Sequence, residues 1–267
     1  MEPPKRNAIV GFLDKLVPIF ILAVFWSFVA WFITGIRGVE FPGPLETVLY
    51  LITIAQGKVI FQSTLYVHLL HSFKRFILGF GMASVVGVTA GLLMGYSKML
   101  RERLYPLVSI LQPMPSTAWI PISILVFGIG DLSTVFIIFL SSLWPTVVNT
   151  VAGAESVPDN YLRLAQMFKM RKAKVFTRIV MPHSVPHILT GLRTAVANSW
   201  RSLVAAEMIA ATGTGLGYVI IQSRWNLDYK TALACIVVIA IIGYLMEKVV
   251  FRYIESMTLK KWGMQTT

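Results

Sequence analysis

The chain has 267 residues, of which 56% are hydrophobic and 13% charged, about half the charged share of a soluble domain. With a mean hydropathy of +0.70, so much apolar surface must face lipid, which argues against a water-soluble fold and for an all-α, polytopic membrane protein. The net charge of +12 would suggest nucleic acid in a soluble chain, but here Lys and Arg of cytoplasmic loops account for it, so no nucleic-acid partner is expected.

About 20 apolar residues cross the hydrocarbon core as a helix, and six such spans are expected. Lys5, Arg6 and Lys15 precede the first, Leu16 to Thr34. It is too long for a signal-peptide core and no small-residue cleavage site closes it, so it is read as a retained span. Pro42, Gly43 and Pro44 open a short surface helix ending near Gln56. Phe61 to Arg75 is amphipathic and leads into the second span, Phe76 to Tyr96. The third, Leu104 to Phe127, is interrupted by Pro113, Pro115 and Pro121. The fourth is Leu132 to Val151, the fifth His187 to Ala211 and the sixth Thr231 to Phe251. Residues 1–75 are expected to form an N-terminal helix with an outer segment, 76–253 the membrane core, and 254–267 a cytoplasmic tail.

Orientation follows from basic residues near span ends. With the N-terminus inside, sixteen of the 24 Lys and Arg fall on the cytoplasmic side, and six, including Lys74 and Arg75, fall outside. Both termini are therefore expected in the cytoplasm, in a multi-pass inner-membrane protein.

The connection between spans four and five, 155–186, is long and rich in charge, which needs a reason in a compact bundle. Pro158 and Asp159 start a helix there. Tyr161, Leu164, Ala165 and Phe168 recur at helical spacing as an apolar stripe, while Arg163, Gln166 and Lys169 lie off it. A helix this short is unstable alone. It either lies in the lipid interface or docks on a soluble partner.

The stretch "YLRLAQMFKMRKAKVFTRIVMPHSVPHILTGLR", Tyr161 to Arg193, resembles the cytoplasmic signature loop of ABC importer permeases, which reads E-A-A, three residues, G, nine residues, I-x-L-P. Setting Ile179, Met181 and Pro182 on I-x-L-P puts Arg163, Leu164 and Ala165 on E-A-A and Lys169 on the glycine. Ser72 to Ala83, Gly91 to Ser97, Pro113 to Gly130, Glu207-Met208 and "GTGLGY" (Gly213 to Tyr218) look like the nitrate/sulfonate/taurine branch, so the likeness covers nearly all of the chain after Leu70. It implies a type I importer (MetI-like) permease fold and a pair of permease chains, most simply a homodimer. It also implies two ATPase subunits that grip the loop through Tyr161, Arg163, Leu164, Ala165, Phe168, Lys169, Ile179 and Pro182, and an extracytoplasmic binding protein that delivers a small anion such as nitrate, a sulfonate, taurine or bicarbonate. Arg163 and Lys169 depart from the motif. A lysine tolerates the glycine's sharp turn poorly, so either the helix runs on or the ATPase offers a more acidic groove.

No G-x4-G-K-[ST] is present, so energy must come from another chain or from an ion gradient; the resemblance implies ATP and magnesium in the partner ATPase and no cofactor in this chain. A secondary transporter driven by an ion gradient is the alternative, although no internal repeat supports it. H-E-x-x-H and G-x-S-x-G are absent, so no catalytic residue is named. His183 and His187, like His68 and His71, lack a third ligand, so no metal is expected. Cys235 is the single cysteine, so no internal disulfide forms.

Candidates for the translocation path are Pro113, Pro115, Trp119, Arg201 and Glu207. Proline-broken helices belong in the protein interior or beside water, although a packing kink is as good a reading. Trp119 could line the path or anchor at a membrane interface, and packing is the favoured reading. A charge at the bilayer centre costs roughly 2.5–3.5 kcal/mol, so Arg201 and Glu207 should face inward. Six residues apart, they do not share a helix face. Glu207 is expected to brace another helix or the second chain, and Arg201 to attract an anion or serve as a structural partner. Gly213, Gly215 and Gly217 follow no strand, so they are read as the outer turn after span five rather than a nucleotide loop.

Overall fold

A computed structural model describes residues 8–38 and 40–250. The cytoplasmic tail expected at 254–267, with Arg252, Lys260 and Lys261, and the basic pair Lys5 and Arg6 lie outside the described residues. The chain divides into two compact units, one of residues up to Leu65 with Val219–Val237, the other of Tyr66–Tyr218 with the residues from Val238 on.

In the first unit, α1 (Ala8–Arg37) is apolar on all sides over Val17–Ile36, as a span facing lipid must be. The surface helix α2 (Pro44–Ala55) begins at Gly43-Pro44 as its sequence predicts. A two-residue hairpin, β1 (Val59–Ile60) with β2 (Ser63–Thr64), follows it. Helices α10 (Leu216–Trp225) and α11 (Tyr229–Tyr244) each contribute residues to both units, and in this one α11 is capped by Asp228, which accepts from the Thr231 amide at 3.1 Å and the Thr231 hydroxyl at 2.6 Å. Tyr50 meets that hydroxyl at 2.8 Å, which ties α2 to the start of α11.

The second unit holds the bundle. Helix α3 (Leu65–Tyr96) runs 32 residues without a break, so the amphipathic stretch and the second span are one helix. Ser97 accepts from the Leu100 amide at 3.4 Å and opens α4 (Lys98–Leu111). After Pro113 and Pro115 comes a 3-10 turn, Ser116–Trp119, and then α5 (Ile120–Phe127). The chain bends by 89° across this break, so the third expected span is no straight crossing. Pro121 does not interrupt it: it sits in the first turn of α5, where its missing N–H would be unpaired anyway.

Helix α6 (Asp131–Glu155) is the centre of the unit. One face of α3 meets it through Gly79, Gly87, Gly91 and Gly95. A Cβ on Gly91 would lie 2.6 Å from that of Thr150, and one on Gly95 2.5 Å from that of Ala154. Backbones this close are how helices pack in lipid, where the hydrophobic effect gives no drive between spans. Helix α9 (Met181–Ala210) has 30 residues and packs on α6.

Among the described residues, four single helices are long and apolar enough to cross a membrane, or up to five if the bent pair is one span. Helix α9, the fifth expected span, is long enough but too polar to count on composition. Ser184, Ser199, Ser202 and Glu207 of this helix are buried, whereas Arg201, expected to face inward, is exposed and bonds to its own helix instead.

Candidate functional site

The bend before α5, the middle of α6 and the middle of α9 line an open cleft of about 460 Å³. Pro113 and Pro115 line it, as do Arg201, Asn198, Ser202 and Ser141. Arg201 is the sole charged residue among those lining it. Its Nε donates to the Ala197 carbonyl at 3.0 Å and its Nη2 to Asn198 Oδ1 at 2.9 Å, which holds the guanidinium against its own helix. Ser202 Oγ lies 2.8 Å from Ser116 Oγ and 2.9 Å from Ser141 Oγ, so three hydroxyls from three elements form one row. Trp119 is not in the lining. It packs beside Ile120, Ile137 and Ala206.

Glu207 lies apart from this cleft, with no exposed surface, which removes it from the lining. Arg75 of α3, at 2% exposure, donates from Nη1 to Glu207 Oε1 at 2.8 Å and from Nε to Asp131 Oδ1 at 2.8 Å. Ser72 donates to Glu207, and the amides of Leu216 and Gly217 donate to Ser72 and Glu207, each at 2.9 Å. The Thr214 carbonyl accepts from Arg75 at 2.8 Å. A buried charge is tolerated only when paired and fully hydrogen-bonded, and here every listener is supplied. The glycine run wraps the carboxylate. Gly215 has φ +127°, and a Cβ there would lie 2.6 Å from Arg75 Nη1, so only glycine fits. Arg75 therefore pairs inside the bundle and has no place in a count of loop charges.

The connection after α6 forms α7 (Asp159–Met167), a short turn α8 (Lys172–Val175) and a π-turn, Phe176–Val180, that runs into α9. Ala165 is buried at 3% exposure and Leu162 packs beside Ala154, Val157 and Val180. Tyr161, Leu164, Met167 and Phe168 point outward, Phe168 at 78% exposure. The stripe predicted through Ala165 is thus split: Ala165 holds the helix to the bundle, and Met167 takes its place on the open face. Arg163 and Lys169 are exposed, Ile179 is half-buried in the same apolar cluster, and Pro182 is half-buried in the first turn of α9. The helix does not run past Lys169. Lys169 adopts φ +48°, and the amides of Lys169 and Met170 return to the carbonyls of Gln166 and Ala165 at 2.9 Å, a left-handed helix stop.

Residues 83–256 match the family described as binding-protein-dependent transport system inner membrane component. The chain belongs to this family. The permease is 35% identical to a taurine transport system permease protein of Escherichia coli, over 85% of this chain and 82% of the relative. It is 34% identical to a nitrate import permease protein of Synechocystis, over 70% and 68%, and 28% identical to a bicarbonate transport system permease protein of Synechococcus elongatus, over 92% and 89%. It is a multi-pass transport subunit of the ABC importer class and not an enzyme.

Sequence reasoning missed three parts of the permease's site. Ser72 and Arg75 carry the carboxylate's partners, and the hydroxyl row sits on Ser116, Ser141 and Ser202. The signal for Arg75 was a second inward charge on a neighbouring span, since Glu207 needed a cation and Arg201 faced elsewhere. The serines left no such signal, because serine is unremarkable in any membrane helix.

Proposed function

We propose that this permease is the membrane path of an ATP-driven importer for a small anion of the nitrate, sulfonate, taurine or bicarbonate class, and that a separate ATPase subunit works it through residues 155–186. The observation that carries the reading is the open face of α7. Tyr161, Leu164, Met167 and Phe168 are exposed on a nine-residue helix that Ala165 and Leu162 anchor to the bundle. Such a helix offers a knob to an apolar groove, and exposed Arg163, Lys169, Arg171, Lys172 and Lys174 beside it favour an acidic rim.

In this reading the α7 end faces the cytoplasm with both termini, and two ATPase subunits bind a pair of permease chains, most simply two copies of this one. ATP and magnesium sit in those subunits. ATP closure draws the α7 knobs together, and the rigid α6–α9 packing carries the movement to the cleft beside Arg201. A binding protein on the outer side delivers the solute. Arg201 and the names of the relatives support an anion.

Reconstituting the permease with its ATPase and binding protein in proteoliposomes tests this. ATP-dependent anion uptake that Phe168→Ala abolishes together with ATPase attachment is the expected result. Uptake that runs on an ion gradient without ATP sinks the reading.

A further inference from the structure

We propose that α2 is a membrane-embedded helix. It lies flat in the lipid boundary of one leaflet, with Leu45, Val48, Leu49 and Ile52 among acyl chains, and is not a face for a soluble partner. The leaflet is the one at the Arg37 end of α1, the outer one in the orientation proposed above.

The depth of α2 follows from the way the chain leaves α1. The Phe41 amide donates to Thr34 Oγ1 at 3.3 Å, and Trp26 Nε1 donates to the Pro42 carbonyl at 3.2 Å. Thr34 and Trp26 lie roughly 5 and 16 Å back from the end of α1, at 1.5 Å per residue. Both belong to the apolar stretch Val17–Ile36. Phe41 and Pro42 are therefore folded back along the span, and α2 starts beside it rather than beyond it. At its other side α2 is held by the Tyr50–Thr231 hydroxyl contact of 2.8 Å, level with the first turn of a second span, Tyr229–Val249. The twelve residues of α2 reach roughly 18 Å, too short to cross a core about 30 Å thick, so the helix must lie along the boundary.

The faces of α2 fix its roll about its own axis. Leu45, Val48, Leu49 and Ile52 recur at i, i+3, i+4 and i+7 and are all exposed. Thr47 and Ile54, on the opposite side, are buried. Glu46 and Thr53 are exposed on one edge between these faces, about a quarter turn from the centre of the apolar stripe at 100° per residue. An interfacial helix has this arrangement, with an apolar face in the acyl boundary and a polar edge toward the headgroups. Continuity with α1 names the cover. Phe28, Trp31 and Phe32 of that span, beside the point where Phe41 and Pro42 return, are exposed as well, and a membrane span exposes aromatic rings to lipid. Lys58 holds its ammonium 4.8 Å from the centre of the Tyr50 ring, and Lys and Tyr are residues that anchor at a membrane–water boundary.

Nitroxide labels on single cysteines test this in the permease–ATPase complex, reconstituted into vesicles of phosphatidylcholine and phosphatidylglycerol. Cys235, the single native cysteine, is buried and should stay unlabelled. Labels on Val48→Cys and Ile52→Cys should collide several-fold more often with oxygen, which dissolves among acyl chains, than with a water-soluble nickel chelate. A label on Thr53→Cys should show the reverse. All three positions are exposed, so the substitutions leave the packing of α2 in place. Nickel access at Val48 and Ile52 equal to that at Thr53 overturns the proposal. So does protection from nickel that appears only when a binding protein is added, which would make the stripe that protein's docking face. Low collision with both reagents would place a second copy of the chain on the stripe and overturns it equally. ATP-driven import is decided separately, by uptake.

Discussion

Arg75 Nη1 donates to Glu207 Oε1 at 2.8 Å, and neither side chain has appreciable contact with the outside of the protein. The pair joins α3 to the C-terminal part of α9. Asp131, half exposed at the start of α6, takes the other side of the same guanidinium at 2.7 Å. Three helices thus meet at one arginine, and the Gly213–Gly217 turn closes over it with backbone groups.

Removing one partner of a buried pair leaves the other uncompensated, at a cost of about 3–5 kcal/mol. Glu207→Gln should fall near the lower end, because Asp131 still faces Arg75. Thermal unfolding of the purified permease should show the loss, with reduced dimer yield and transport. The Arg75→Met/Glu207→Met double variant should lose less than the sum of its single variants. Simple additivity would show that the two groups are not coupled.

The close approach of α3 to α6 predicts opposite outcomes for two glycines on one helix. Gly91→Ala places a Cβ 2.6 Å from that of Thr150 and should destabilise by about 1–3 kcal/mol, as overpacking does. Gly81→Ala meets nothing within 4 Å and should be neutral or stabilising by up to about 1 kcal/mol. Detergent melting curves of the two proteins make the comparison.

Lys169 holds a backbone conformation that costs a side-chain-bearing residue about 1–2 kcal/mol. Lys169→Gly should relieve most of this and slow amide exchange at the C-terminal end of α7. Lys169→Val, which is β-branched, should speed it. Equal exchange in all three proteins would mean that Lys169 is not strained in solution.

Phe168 and Ala165 lie on one predicted stripe and should behave differently. Phe168→Ala removes an exposed ring, so it should lower recovery of the ATPase subunit in a pull-down while leaving the melting temperature unchanged. Ala165→Asp puts a carboxylate at a buried position and should melt the loop itself. Undiminished ATPase recovery with Phe168→Ala would remove α7 from the docking surface.

Much of this architecture was legible before any coordinates. Apolar runs mark the spans because lipid leaves backbone groups no partner but their own helix. Pro158-Asp159 marks the start of α7, and Gly43-Pro44 that of α2, because these residues suit a helix's first turn. Glu207 had to face inward for the same dielectric reason. The helical period alone could not divide the α7 stripe, since Ala165 and Phe168 share a face until a neighbour fills part of it. Nor could it show that the segment before α5 bends by 89°, because a proline permits a break without setting its angle.

By itself, then, the sequence determined an all-helical membrane chain with a charged loop between α6 and α9, since local propensity and transfer from water act residue by residue. Only the tertiary structure decided that Arg75 neutralises Glu207, that three serines from separate elements meet beside Arg201, and that glycines let α3 settle on α6. Those relations join residues as far as 132 positions apart, and distance along the chain carries no energy until the helices pack.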